Sequence, residues 1–314
     1  MFYIDGHCDT LSKALDENKD LFKNDLHFSI NEAEKIGGGI QVMACFIDPK
    51  LLTYENAGFN RCNDILKKFE DYQKKNNCDR LIKGKMDVEK AINSNDLKVL
   101  LSIENGSAIS NDLSNIEYFY NKGIRMMSLT WNDDNELGCG AKTVDDKGLT
   151  EMGIKSVKKM NELGIIVDVS HLSEKSFWDV VSASDKPIVA SHSCVYELCN
   201  CERNLKDDQI KAIARSGGVI GICFYSDFLN SNKRASVEDI VEHIKYIKNL
   251  VGINYIGLGS DFDGMSNQDT PKKVENISMI DNITKELKLQ GLNNKEIEKI
   301  MWDNWSEVFK KILK

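Results

Sequence analysis

Three histidines and two carboxylates in this chain have the types and positions of metal ligands. His7 and Asp9 stand two residues apart after a short apolar run, and Glu104, His171 and His192 each follow an apolar run of their own. Imidazole and carboxylate groups are the ligands that zinc and similar divalent ions take from proteins. This set suits two ions that share one carboxylate. Two ions about 3.5 to 4 Å apart hold a hydroxide and polarise a carbonyl group, which is the chemistry of hydrolysis near neutral pH.

The same residues allow other interpretations. His7 and Asp9 alone fit a core histidine hydrogen-bonded to an aspartate in a turn equally well. One ion held by three histidines is a second alternative, which leaves both carboxylates without a role. An acyl-enzyme on Ser191 or Cys194 beside His192 is a third, but the Gly-x-Ser-x-Gly turn that exposes such a nucleophile is missing.

Eight short apolar runs separated by segments of helical periodicity position these residues. We predict strands at about 3–7, 39–47, 98–103, 125–131, 165–170, 187–191, 218–224 and 255–260. Buried runs that alternate with helices are typical of a parallel sheet closed into a (β/α)8 barrel of the TIM type, an α/β fold whose active site lies at the C-terminal ends of the strands. The polar residues at those ends are His7 with Asp9, Glu104, His171, His192, and Asp261 with Asp263.

Serine and glycine residues mark the ends of the predicted helices. Ser173 and Ser236 precede two helical segments as N-caps, and Gly164 and Gly217 follow two others at the position of a C-cap glycine. An open doubly wound sheet is the competing arrangement. It is disfavoured because no Gly-rich phosphate-binding turn follows the first strand.

The chain is predicted to form a single domain over residues 1–314. The long connection 48–97 holds one long and one short helical segment, so we interpret it as an insertion within the barrel. The C-terminal tail, 280–314, is predicted to be helical with one apolar stripe. We expect this stripe to close the barrel or to pack at a subunit contact, and the second alternative predicts a homodimer. The stripe consists of Ile297, Ile300, Met301, Trp305, Val308, Phe309 and Ile312.

Charge and composition restrict the partners of the protein. The net charge is −8 and the lysines are scattered, so the sequence predicts no nucleic-acid partner and no membrane surface. No apolar run approaches the roughly 18 residues that span a bilayer, and no basic leader precedes the first strand, so we expect a cytoplasmic protein with a small-molecule substrate. The nine cysteines are interpreted as reduced thiols. Cys199 and Cys201 form the one pair whose spacing admits a soft-metal or redox role.

Six stretches, in order along the chain, resemble the renal (membrane) dipeptidase family of zinc peptidases. They are Ile-Asp-Gly-His-Cys-Asp at 4–9, Ser-Ile-Glu-Asn-Gly at 102–106, Val-Asp-Val-Ser-His at 167–171, Ala-Ser-His-Ser at 190–193, Glu-Arg-Asn-Leu at 202–205 and Gly-Leu-Gly-Ser-Asp-Phe-Asp-Gly at 257–264. Each motif is short, but together they cover nearly the whole chain.

The resemblance implies a dipeptidase with two Zn²⁺ ions and a small peptide as substrate. It implies that His7 and Asp9 bind one ion, that His171 and His192 bind the other, and that Glu104 bridges them. Arg203 matches the arginine that holds the terminal carboxylate of the dipeptide, and Asp261 matches the carboxylate that moves protons during the reaction. A binuclear hydrolase of another small amide, such as a cyclic dipeptide or a lactam, is the alternative within the same enzyme class.

One position departs from the family pattern. Within Thr130-Trp131-Asn132, the chain has Trp131 where dipeptidases of this family often carry a histidine that contacts the substrate carbonyl. Indole offers one donor and takes up no proton, so stabilisation of the developing oxyanion falls to the metal ions. Trp131 is therefore a candidate substrate-binding residue, and the change also motivates a third hypothesis, a metal-binding barrel without turnover.

Overall fold

A closed parallel barrel forms the centre of the molecule. The computed structural model describes residues 2–94 and 96–314, and within them eight strands pair in sequence order, with β1 hydrogen-bonded to both β2 and β8. The predicted (β/α)8 barrel is thereby confirmed, and the open sheet is excluded. The strands are β1 (Tyr3–Asp5), β2 (Gly39–Phe46), β3 (Leu97–Glu104), β4 (Ile124–Ser128), β5 (Ile166–Asp168), β6 (Ile188–Ser193), β7 (Ile220–Ile222) and β8 (Ile256–Leu258).

Helices surround the barrel and follow its strands. None of those in the described ranges is both long and apolar enough to cross a membrane. The connection 48–97 contains a long and a short helix, as predicted for an insertion. The helices are α1 (Thr10–Asp16), α2 (Ile30–Lys35), α3 (Ala57–Asn76), α4 (Lys85–Ile92), α5 (Ser114–Asn121), α6 (Glu151–Leu163), α7 (Glu174–Ala183), α8 (Asp207–Ser216), α9 (Ser226–Leu229), α10 (Val237–Val251), α11 (Asp281–Leu289), α12 (Asn294–Glu298) and α13 (Asn304–Ile312).

The predicted helix ends agree with the structure. The Ser173 hydroxyl accepts a hydrogen bond from the Ser176 N–H at the start of α7, and Ser236 precedes α10. Gly164 and Gly217 end α6 and α8 with φ of 83° and 81°, a left-handed conformation that glycine adopts without steric cost.

Most strands end earlier than their apolar runs predicted. β1 stops at Asp5 rather than residue 7, and β4 stops at Ser128, so Trp131 lies beyond its strand. The residues that follow remain buried although they leave the ladder. An apolar run reports burial and not pairing, and for this reason it extends past the last paired residue.

The C-terminal tail closes the barrel at the end opposite the strand C-termini, where Ile312 and Lys314 lie against Gly164, just before β5. Trp305 is fully buried, and its indole N–H donates to the Leu258 carbonyl oxygen at 2.9 Å. Its ring fills the space beneath Gly6 and Gly257, where an added Cβ would come within 2.4 Å and 2.3 Å of it. Four residues of the apolar stripe, Trp305, Val308, Phe309 and Ile312, pack with strand residues such as Ile4 into one core, and the other three belong to the larger core. The stripe therefore closes the barrel, which was the first of the two predicted alternatives, and a homodimer stays a prediction.

Candidate metal centre

Glu104, the last residue of β3, lies at the centre of the polar cluster. Its Oε1 atom is 2.8 Å from His171 Nε2 and 3.9 Å from His192 Nε2. Its other oxygen, Oε2, is 3.4 Å from His7 Nε2. The two oxygens therefore face two different groups of imidazoles. This is the geometry required of a carboxylate shared by two cations.

His7 and Asp9 project into the same side of the cluster. His7 Nε2 is 3.6 Å from Asp9 Oδ2 and 3.8 Å from Asp261 Oδ1. Between them, Cys8 pairs with Phe262 and its side chain packs in the apolar core. The alternation expected of an extended chain thus holds although β1 has ended. His7, Asp9 and Asp261 form one of the residue groups compact enough to hold a cation.

Backbone geometry aims two residues of the cluster. His171 and Asp261 have φ of 71° and 60°, values that residues other than glycine rarely adopt. Such conformations cost about 1–3 kcal/mol each and concentrate at functional sites. Gly264 belongs to the same turn as Asp261. A Cβ there would lie 2.4 Å from Asp261 Oδ1 and 2.5 Å from Asp9 Oδ2, so a side chain at 264 would displace both carboxylates.

Hydrogen bonds behind His171 and His192 orient both rings. Asn132 Oδ1 lies 2.9 Å from His171 Nδ1, and Ser191 Oγ lies 2.8 Å from His192 Nδ1. Because Ser191 donates its own hydroxyl proton to Asp168, it accepts from His192. Both rings therefore carry hydrogen on Nδ1 and a lone pair on Nε2, and the two Nε2 atoms are 2.7 Å apart. This is the tautomer that a histidine ligand needs.

Several buried polar atoms of the cluster have no hydrogen-bond partner in the protein. They include His7 Nε2, Asp9 Oδ1 and Glu104 Oε2. A buried polar atom without a partner costs about 1–3 kcal/mol, so a cluster of them indicates a ligand. A divalent cation satisfies imidazole and carboxylate atoms together. The residues present thus fit the metal ions that the sequence predicted.

Burial and the close approach of like charges shift the pKa values of several side chains in the cluster. Burial, with repulsion from Asp9, raises the pKa of Glu104 to about 8, and burial raises that of Asp261 to about 7. Burial opposes a charge on His7, but the carboxylates of Glu104 and Asp9 outweigh it and raise the His7 pKa well above its ordinary value. Burial lowers the pKa of His171 and of His192 well below the ordinary value. Glu104 and Asp261 are therefore fully ionised at neutral pH only beside a cation.

Arg203 lies next to this cluster, on the loop between β6 and α8. It is buried, and its Nη2 donates to the His192 carbonyl oxygen at 3.2 Å. Its Nε has no partner. Among the described residues, no carboxylate lies within salt-bridge distance of this guanidinium. The surface salt bridge that an arginine usually makes is thus excluded, and one edge of a buried fork remains free to bind an anion.

Trp131 lies at the mouth of the barrel, partly buried, with its ring centre 6.1 Å from that of His171. Phe46, the last residue of β2, packs on its other side with ring centres 5.6 Å apart. In the ring of eight strands, β2 lies opposite β6, which precedes Arg203, and β4 lies midway between them, two strands from each. Phe46 therefore lies across the mouth from the Arg203 guanidinium, and Trp131 lies between them on the rim.

Other aspartates near the site support its loops. Asp263 accepts hydrogen bonds from the Thr10 hydroxyl and the His27 N–H, Asp168 binds the Ser191 backbone, and Asp5 binds Ser260. Ser191 is fully buried, which leaves no room for the acyl group of an acyl-enzyme. All nine cysteines are unpaired, and none belongs to a compact group of metal-binding side chains in the described part of the chain.

The sequence did not reveal three residues of the site: Asn132, Phe46 and the supporting role of Ser191. Asn132 and Ser191 are direct chain neighbours of the candidates Trp131 and His192, which is the signal that was available. Phe46 carried no signal of its own, because an aromatic residue at a strand end is most often a packing residue.

The model of the membrane dipeptidase family (peptidase family M19) matches residues 1–314. An uncharacterised protein from the pqqA 5′ region of Klebsiella pneumoniae is 32% identical over 243 residues, covering 74% of this chain and 89% of that protein. An uncharacterised dipeptidase of Schizosaccharomyces pombe is 32% identical over 289 residues, covering 87% of this chain and 69% of that protein.

Solved structures share the fold across the whole chain. A metallopeptidase of family M19, dipeptidase AC, superposes with a TM-score of 0.90 at 24% identity and covers 100% of this chain and 99% of its own. A metallopeptidase from Rhodobacter sphaeroides, solved with a phosphinate mimic of the dipeptide L-Ala-D-Ala, gives a TM-score of 0.89 at 22% identity and covers 99% of both chains. At these identities the likeness shows the fold.

Proposed function

The chain belongs to the membrane dipeptidase family (peptidase family M19) and is a metal-dependent hydrolase, and from this premise we propose that it is a binuclear zinc dipeptidase. One observation carries the proposal. The two oxygens of Glu104 face different imidazoles, with His7 beside Oε2 and His171 and His192 beside Oε1. The match over residues 1–314 supports one catalytic domain across the chain.

In this proposal five residues hold two divalent cations. His7 and Asp9 would hold one, His171 and His192 would hold the other, and Glu104 would be shared between them. Such cations would supply a hydroxide nucleophile at neutral pH and polarise the scissile carbonyl. Asn132 and Ser191 hold the imidazoles of His171 and His192 in the ligating tautomer. Zinc is the expected metal because these ligand types suit it, although they accept other divalent ions.

Arg203 selects the substrate by its free carboxylate. Its unpartnered edge faces a buried site, where a bidentate bond to a carboxylate is strong and directional. A linear dipeptide presents this group one residue from the scissile bond. A cyclic dipeptide or a lactam without a free carboxylate leaves the guanidinium unpaired, and for this reason the linear substrate is favoured.

Asp261 is the proposed proton carrier. Its Oδ1 faces His7 at 3.8 Å, and burial brings its pKa to about 7. A group with a pKa near the working pH takes up and releases protons with little cost in either direction. Asp261 would accept a proton from the attacking water and deliver it to the leaving amine.

Phe46 would contact the N-terminal residue of the dipeptide, because β2 lies opposite the strand that precedes Arg203, and Trp131 would extend this contact because its ring packs against that of Phe46. Nine unpaired cysteines support a reducing compartment such as the cytoplasm.

Metal analysis combined with a substrate panel tests the function. The purified protein should contain two zinc-like ions per chain and should hydrolyse L,L or L,D dipeptides. The panel should include dipeptide amides and cyclic dipeptides. Protein that binds no divalent metal, or metal-loaded protein that leaves every dipeptide intact, refutes the proposal. Turnover of cyclic dipeptides alone would reassign the scissile bond.

A further inference from the structure

The loop that carries Arg203 is closed at its base by backbone hydrogen bonds. It runs from Cys194 to Leu205, between β6 and α8. The Leu205 N–H donates to the Cys194 carbonyl oxygen at 2.9 Å, and the Tyr196 N–H donates to the Leu205 carbonyl oxygen at 2.9 Å. The two ends of the loop therefore form a bridge between Val195 and Leu205. The backbone position of Arg203 therefore depends on the contacts that hold this bridge in place.

The guanidinium itself has few direct restraints. Apart from its hydrogen bond to the His192 carbonyl oxygen, it lies over the ring of Phe228, with Cζ 5.4 Å from the ring centre. Phe228 belongs to α9, which follows β7 and not β6. The orientation of the Arg203 guanidinium thus depends on how the loop is joined to α9.

Asn204 makes one such connection. Its Nδ2 donates to the Cys199 carbonyl oxygen within the loop and to the Phe228 carbonyl oxygen on α9, both at 2.8 Å. Asn204 is buried and adjoins Arg203 in sequence. One amide group therefore ties the loop to the helix that supports the guanidinium.

His243 makes the second connection from outside the loop. It lies on α10 and is 1% exposed. Its Nδ1 is 3.0 Å from the Val195 backbone nitrogen, and its Nε2 is 3.1 Å from the Leu229 carbonyl oxygen. An N–H only donates and a carbonyl only accepts, so the ring is neutral with its hydrogen on Nε2. His243 joins the base of the Arg203 loop to the last residue of α9.

We infer that His243 is a positioning residue for substrate recognition, which acts with Asn204 to hold Arg203 and Phe228 in one frame. The inference rests on the proposed function, since it assigns the frame to binding of the free carboxylate of the dipeptide. His243 contacts neither Glu104 nor the imidazoles of the metal centre in any bond described above. Its loss should therefore weaken carboxylate recognition and leave metal binding intact.

The test compares a dipeptide with the same dipeptide as its C-terminal amide, using metal-loaded full-length protein. His243→Leu removes both hydrogen bonds at similar volume. We expect KM for the free acid to rise about tenfold, as for the misalignment of one charge-assisted bond. Its kcat and the metal content should stay within about twofold, and kcat/KM for the amide should hardly change. The preference for acid over amide then falls by about the same tenfold.

Matched variants separate positioning from stability. His243→Gln keeps an acceptor and a donor and should restore most of the preference. Phe228→Leu, at a partly exposed position, should reduce the preference even if His243→Leu fails to fold. Lys248→Gln removes an ion pair from α10 to Glu296 on α12, away from the loop, and should leave the preference unchanged.

Four results would overturn the inference or the function on which it rests. Equal losses on acid and amide in His243→Leu overturn the inference. If His243→Leu does not fold, an unchanged preference in Phe228→Leu overturns it. A wild-type enzyme that hydrolyses dipeptides without preferring the acid overturns it as well. If the wild-type protein hydrolyses neither compound, the proposed function has failed, and that failure is visible before any variant is made.

Discussion

Replacing Glu104 with glutamine should separate the function of the metal centre from its cost in stability. Glutamine has nearly the same shape and leaves one oxygen to face His7 or His171, but it carries no charge. The variant loses the anionic bridge between the two groups of imidazoles, which are 3.4 Å and 2.8 Å from the two oxygens. We expect it to bind less zinc and to lose at least about 10³-fold in kcat/KM, equivalent to about 4 kcal/mol of transition-state stabilisation.

In metal-free protein the same change should be stabilising. The folded-state pKa of Glu104 is raised to about 8 from an ordinary 4.5, mainly by burial. The folded protein therefore binds a proton that the unfolded chain has released, and stability falls as the pH rises from about 4.5 to about 8. Each pKa unit corresponds to about 1.4 kcal/mol, so the cost at pH 7 is about 3 kcal/mol. His7 loses a partner in the variant, so we expect a net gain of about 1–3 kcal/mol.

The assay is denaturant unfolding of chelator-treated and zinc-loaded proteins at pH 7, with metal content measured on the same samples. Metal-free Glu104→Gln should unfold at higher denaturant than metal-free wild type, and zinc should reverse that order. Glu286→Gln is a matched control, because Glu286 is a buried glutamate on α11 that bonds to Gln290 outside the barrel mouth. A metal-free variant less stable than metal-free wild type, or a variant with full activity, would refute the reasoning.

Three further outcomes are expected. Zinc binding should release protons at pH 7 and fewer at pH 9. The raised pKa values of Glu104 and Asp261 keep these groups partly protonated at pH 7 until a cation binds. Calorimetry in buffers of different ionisation enthalpy measures this release. Trp131→Ala should lower kcat/KM about tenfold for dipeptides with a large apolar N-terminal residue and little for glycine, and equal losses would contradict a wall contact. Trp305→Ala should destabilise the fold by about 3–5 kcal/mol while metal-loaded protein keeps its kcat, which thermal unfolding and activity on one sample will show.

The barrel could be predicted because its signals are local and repeated. Each strand coincides with a short run of apolar residues in the sequence, and glycines such as Gly164 and Gly217 mark where helices end. The strand ends were less predictable. β4 stops at Ser128 while the buried run continues, since burial in the loops also requires apolar residues.

The candidate ligands were predictable for a different reason. In a parallel barrel the C-terminal ends of all strands meet at one mouth, so polar residues at the ends of separate runs must converge. His7, Glu104, His171 and His192 were selected by that rule alone. The rule does not orient side chains, however, and it says nothing of Asn132 or Ser191, whose hydrogen bonds determine which imidazole nitrogen faces the mouth.

The fold class, the family resemblance and the candidate metal ligands could be deduced from the chain because they depend on residue type, order and periodicity. Only the folded structure shows that the two oxygens of Glu104 face different imidazoles, that Trp131 packs against both Phe46 and His171, and that His243 joins the Arg203 loop to α9. Val195 and His243 are 48 residues apart in the chain. Such contacts depend on how separate loops pack over one mouth, and no local pattern in the chain encodes that packing.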